Sequence, residues 1–150
     1  MKFVASLTLA AAAVVLSAPA QAQFAKPEDA IKYRKGALFV MQTHFGRVAG
    51  MAAGRIPFDA AIASSNAAVA ESMSKLPWAA FVEGSGTGDT KAKPEIWTDN
   101  AKFKAASEKM QAAMSNLAAA AKGGNLDAIK AAVGPVGGAC KACHDDFRKE

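Results

Sequence analysis

From Leu126 to Phe147 the apolar residues Leu126, Ile129, Val133, Val136, Cys140, Cys143 and Phe147 follow one another in alternating steps of three and four. That spacing lays them along one side of an α-helix and is incompatible with a half-buried strand, whose period is two. Three earlier segments repeat the pattern. The first opens at Pro27, a good first helical residue, with Glu28 and Asp29 favourable to the helix dipole, and carries Ile31, Leu38, Met41, Phe45 and Val48. The second begins near Pro57 with Asp59 in its first turn, presents Phe58, Ile62, Ser65, Val69, Met73 and Leu76, and stops at Pro77. The third, N-capped by Thr98 or Asp99, shows Phe103, Ala106, Met110, Ala113, Leu117 and Ala120 and ends at Gly123-Gly124, after which Asn125 caps the fourth. Pro135 is expected to bend that last helix. Residues 78–97 lose the periodicity, and Gly84-Ser85-Gly86-Thr87-Gly88 marks a long loop of the kind that is functional or mobile. With hydrophobic residues at 51% and a single Tyr, disorder and an all-β sandwich are disfavoured. The simplest burial of four such stripes is one all-α domain, an antiparallel up-down-up-down four-helix bundle.

Residues 1–22 stand apart. Lys2 is followed by an apolar run from Phe3 to Leu16 and by small residues ending in Ala20-Gln21-Ala22, the pattern of a secretory signal peptide cleaved after Ala22. The run is shorter than the roughly 20 residues that span a bilayer, which argues against a membrane anchor. Residues 23–150 are then the exported domain, periplasmic in a bacterial source. Loss of Lys2 lowers the formal net charge from +5 to +4. Such mild basicity is compatible with an acidic redox partner but too small to name one, and it does not indicate nucleic acid.

The chemistry concentrates in Cys140-Lys141-Ala142-Cys143-His144. Two thiols three residues apart on a helix can each add to a vinyl group of a protoporphyrin, leaving the next residue's imidazole beneath the iron, so the pentad predicts covalent haem c with His144 as axial ligand. The alternatives fit less well. A thioredoxin-like pair belongs at a helix N-terminus after a strand, whereas this pair lies near a helix C-terminus. A structural zinc site needs four ligands, and outside the motif the chain offers only His44. A simple disulfide leaves His144 without a role. The chain has no Ser/His/Asp set, no paired carboxylates and no phosphate loop, so it reads as a binding protein and not an enzyme.

Most small cytochromes carry this motif near the N-terminus, whereas here it lies close to the C-terminus. In that position, and in Gln23-Phe24-Ala25-Lys26-Pro27-Glu28-Asp29-Ala30, Tyr33-Arg34, Leu38, His44-Phe45-Gly46-Arg47, Leu76-Pro77-Trp78-Ala79-Ala80-Phe81, Pro94-Glu95-Ile96-Trp97 and Cys140 to Asp145 with Arg148, the chain resembles the cytochrome c′ family of exported four-helix bundles. The resemblance implies that Cys140 and Cys143 hold the haem, that His144 is the single protein ligand, and that Leu38 plugs the opposite, distal face. A leucine cannot bind iron, so the iron is expected to be five-coordinate and open to small uncharged ligands, NO and CO, while also passing single electrons. Arg148 matches a basic residue flanking the proximal imidazole. Arg34 would reach a haem propionate, with Lys35 assisting, although the latter position is polar rather than basic in some relatives. The resemblance also implies a homodimer through the first two helices. Ala49, Gly50, Ala52, Ala53, Ala60, Ala63 and Ala67 would permit close helix approach there, and they fit packing within one chain equally well.

Two residues test the five-coordinate reading. Met41 follows Leu38 by one turn on the same stripe, and as a sixth ligand it would make a low-spin electron carrier indifferent to CO; otherwise it is core filler. His44, rotated about 240° from Leu38, is expected to point away. Trp78 and Trp97 either meet the porphyrin edge or lid the core. A peroxidase would want a distal acid-base residue, which the leucine side does not supply.

Overall fold

The computed structural model describes residues 23–150; the signal-peptide expectation for residues 1–22 lies outside them. Helices α1 (Pro27–Ala52), α2 (Ala60–Met73), α4 (Asn100–Lys122) and α5 (Leu126–Phe147) form the bundle. Between α2 and α4 lie a 3₁₀ turn (Pro77–Ala80) and the single turn α3 (Glu95–Thr98). Each long helix packs on its neighbours in the ring α1, α2, α4, α5 and back to α1. No helix among the described residues is long and apolar enough to cross a membrane.

Capping chemistry sets the boundaries. Asp59 Oδ1 accepts from Ile62 N at 2.8 Å, Asp99 Oδ1 from Lys102 N at 3.2 Å and Asn125 Oδ1 from Ala128 N at 3.0 Å, each satisfying an amide that the first helical turn leaves free. The second helix therefore starts at Ala60, three residues after the expected Pro57, because Asp59 caps it. Gly124, at φ +70°, makes the left-handed turn between α4 and α5. Helix α5 continues through Pro135. Pro135 is exposed, so the carbonyl that loses its amide partner can be hydrated.

The stripes of α1, α4 and α5 point inward as expected. Met41, Val48, Met110, Met114, Leu117, Ile129 and Val136 make the main core. Helix α2 is the exception. Its buried face is Ala63, Asn66, Ala67 and Ala70, while Phe58, Ile62 and Leu76 are exposed, Ile62 to 47%. The small residues let α1 and α2 approach closely, so the larger side chains are turned outward. Ala63 and Ala67 thus pack within the chain, as does Gly50, where an added Cβ would come 2.7 Å from Ile56 Cδ1. These three are not a surface for a second copy. Leu117 is fully buried and does not line the cavity described below. Leu117→Ala is expected to lower unfolding free energy by about 2–5 kcal/mol, read by chemical denaturation, without loss of the chromophore.

Candidate functional site

One cavity, about 810 Å³ including its open mouth, gathers most of the candidate residues. Helix α1 contributes Arg34, Lys35, Leu38 and Met41; α5 contributes Cys140, Cys143 and His144, followed by Arg148; Phe103 and Met110 come from α4. The connection between α2 and α4 closes it with Trp78, Phe81, Thr90, Lys91, Ala92 and Ile96. Phe103 is the hinge of an aromatic wall, with ring centroids 4.8 Å from Phe81, 5.2 Å from Phe147 and 5.7 Å from Trp78. The lining is mainly apolar, as a flat macrocycle requires.

Cys140 and Cys143 are free thiols on the α5 wall. Burial pushes the Cys140 thiol up, and pushes the Cys143 thiol up to about 11 with help from Cys140 and Asp146. Both stay protonated at neutral pH, unlike the activated thiolate of a redox dithiol. His144 lies at the exposed rim, where desolvation and the charge of Arg148 outweigh Asp145 and hold its imidazole below its ordinary value. The neutral ring, the form that ligates metal, is therefore favoured.

Opposite, Arg34 is only 2% exposed and lines the cavity. Its Nη1 donates to Ala80 O at 3.1 Å and Ser85 Oγ at 2.7 Å; its Nη2 donates to Ser85 O at 2.6 Å and Thr90 Oγ1 at 2.8 Å. The guanidinium also lies 4.4 Å from the Phe81 ring centroid. All four Nη hydrogens are thereby used. Arg34 has no carboxylate among the described ion pairs, so a propionate would supply the countercharge that this buried cation lacks. Thiols, imidazole, apolar walls and an uncompensated guanidinium on one cavity fit haem c. Lys35 lines the mouth and pairs with Asp89 at 2.6 Å.

Two placements settle open points. His44 does not line the cavity; its Nδ1 lies 2.8 Å from Asn66 Oδ1. Asn66 Nδ2 donates to Ile62 O, so the imidazole is the donor. Trp78 lines the cavity, whereas Trp97 does not and donates through Nε1 to Phe81 O at 3.0 Å. Sequence reasoning missed Thr90, Lys91 and Ala92. Their loop has no periodicity, and its contacts with α1 and the C-terminus are long-range, so no local signal marks them. Met110 and Phe103 were legible as core stripe residues but not as cavity wall.

The sequence model of the cytochrome C′ family matches residues 29–148. The chain is 53% identical over 129 residues to cytochrome c′ of Rubrivivax gelatinosus, covering 85% of this chain and 100% of that protein. It is 51% identical over 128 residues to cytochrome c′ of Alcaligenes xylosoxydans xylosoxydans, with coverages of 85% and 99%. Its fold matches the crystal structure of the Rubrivivax gelatinosus protein with a TM-score of 0.82 at 53% identity, over 85% of this chain and 100% of that one. The nitric oxide complex of a Leu-to-Ala variant of cytochrome c prime from Alcaligenes xylosoxidans matches with a TM-score of 0.80 at 48% identity, over 85% and 99%. A four-helix bundle matched at this identity along nearly all its described length has one assignment: the chain belongs to the cytochrome c′ family, and its cofactor is one covalently bound haem c.

Proposed function

We propose that this protein is an exported, non-enzymatic haem c protein that binds NO and CO at a five-coordinate iron and passes single electrons. Bound haem supplies an iron that takes a diatomic ligand and changes oxidation state by one electron. Cys140 and Cys143 would hold it covalently, His144 would supply its protein ligand, and Leu38 would line the cavity from α1. Arg34 and Lys35 would serve the propionate edge, and Arg148 would flank His144. The observation that carries this reading is a single cavity lined by His144 on α5 and by apolar Leu38 on α1. An uncharged gas can enter beside the apolar Leu38 side chain, which offers neither a ligand to iron nor a hydrogen-bond partner. The nitric oxide complexes of Alcaligenes xylosoxidans cytochrome c prime variants support the same ligand class. CO titration of the reduced protein tests the reading: uptake with a shifted Soret band is expected. Met41 lines the same cavity. A low-spin iron that ignores CO would assign it as sixth ligand in an electron carrier.

Export is read from residues 1–22, and N-terminal sequencing of secreted material is expected to begin at Gln23. The apolar residues turned outward on and around α2, Phe58, Ile62 and Leu76, support a homodimer through α1 and α2. Ile62→Lys is expected to convert it to a monomer in sedimentation, with the visible spectrum unchanged. A wild-type chain that already sediments as a monomer at all concentrations overturns the dimer.

A further inference from the structure

Besides the Arg34–Ser85 bonds and the Lys35–Asp89 pair, one hydroxyl links α1 to the segment that pairs with the far end of the chain. Thr90 Oγ1 accepts from Arg34 Nη2 at 2.8 Å and from Ala92 N at 3.1 Å. Ala92 in turn forms an isolated antiparallel bridge with Arg148. The bridge is closed by Lys93 N donating to Phe147 O at 3.0 Å and Lys149 N donating to Lys91 O at 2.8 Å. Arg148 N donates to His144 O at 3.0 Å, so the same short pairing holds the turn that carries the imidazole. Phe147 has a second anchor in its packing on Ala92, Ile96 and Phe103, whereas Arg148 is exposed and is held by its backbone.

We propose that Thr90 is a positioning residue: by accepting from Arg34 and from the Ala92 amide it joins α1, which carries Leu38, to the strand pairing that keeps Arg148 beside His144. The hydroxyl spends two acceptor sites on these donors. A valine of the same shape cannot accept either, and it leaves a buried guanidinium N–H and a half-buried amide without partners. The loop around Ala92 then detaches from Arg34 more often, and Arg148 with it. The placement of Arg148 beside His144 depends in this way on a loop residue in another segment of the chain.

The test compares the haem-loaded wild type with Thr90→Val and Thr90→Ser by amide hydrogen exchange. In Thr90→Val, exchange at Ala92, Lys93, Arg148 and Lys149 is expected to quicken by about 10-fold, with the amides of α2 and α4 unchanged, and serine restores the wild-type rates. The second readout is the EPR spectrum of the NO-treated ferrous proteins. NO weakens the bond opposite to it, so Thr90→Val is expected to raise the fraction of NO-bound protein that has lost the His144 nitrogen signature, and Thr90→Ser is not. This part rests on the gas-binding reading above, whereas the exchange measurement needs no gas. Local exchange unchanged in Thr90→Val, or quickened equally throughout the chain, overturns the proposal. Local quickening with an unchanged NO signature overturns its proximal consequence. A wild type that takes up no NO sinks the gas-binding reading and leaves the exchange result to decide on Thr90.

Discussion

Replacing both Cys140 and Cys143 by serine is expected to abolish covalent attachment, so that the haem leaves the chain under denaturing conditions while wild type retains it. The two sulfurs are the only cysteines in the sequence, and both line the cavity on the α5 wall. Serine cannot form a thioether, and a non-covalently held macrocycle keeps only apolar contacts, the Arg34 charge and the imidazole. Haem staining on a denaturing gel, with intact mass, reads the result. His144→Ala in the same assay is expected to keep the covalent haem and change its spectrum, because the thioethers survive while the axial nitrogen is lost. A double-serine protein that still carries covalent haem would contradict the site assignment.

Leu38→Ala has the second large expected effect, in the opposite direction. Leu38 is a branched, half-buried side chain in the cavity wall with Arg34, Lys35 and Met41, and under the proposed function an incoming gas has to push it aside. Forcing such a side chain off its rotamer costs about 1–3 kcal/mol. Relief of that cost corresponds to roughly a 5- to 150-fold gain in CO affinity of the ferrous protein, since each 1.4 kcal/mol is tenfold. The measurement is CO binding at equilibrium and by flash photolysis. An affinity within twofold of wild type would mean that Leu38 is an ordinary wall residue.

What was legible in the sequence follows from the range of the interactions involved. The haem motif is local: five consecutive residues carry it, and the helix period brings both sulfurs to the inner side of α5. The stripes of α1, α4 and α5 were equally legible, because large residues such as Met110, Leu117 and Ile129 recur at helical steps and are buried together. On α2 the same reasoning was right for Met73, which packs on the core, but chose the wrong residues elsewhere. It follows the larger side chains, Phe58, Ile62 and Leu76, but close approach of two helices is limited by volume, and Ala63, Ala67 and Ala70 fill that interface. Asn66 enters the interior because His44 and the Ile62 carbonyl satisfy its amide.

The loop was the least legible segment. Its glycines announced only a break in periodicity. The Arg34 hydrogen bonds that fix it span 46 to 56 residues, and no local pattern encodes a contact at that range. Arg34 itself was expected at a propionate, and it lines the cavity. Its four Nη hydrogen bonds add a second task, that of holding residues 80–90 against α1. Leu38 as a plug came from the family resemblance alone; periodicity would have made it a core residue like Val48.

The central claim is that His144 is the sole protein ligand and that Leu38, not Met41, faces the vacant side of the iron. It is tested most directly by optical and EPR spectra of the exported, haem-loaded protein, oxidised and reduced, with and without CO and NO. The account predicts a high-spin iron that takes up both gases. A low-spin iron unaffected by CO would contradict it and make Met41 the sixth ligand of an electron carrier.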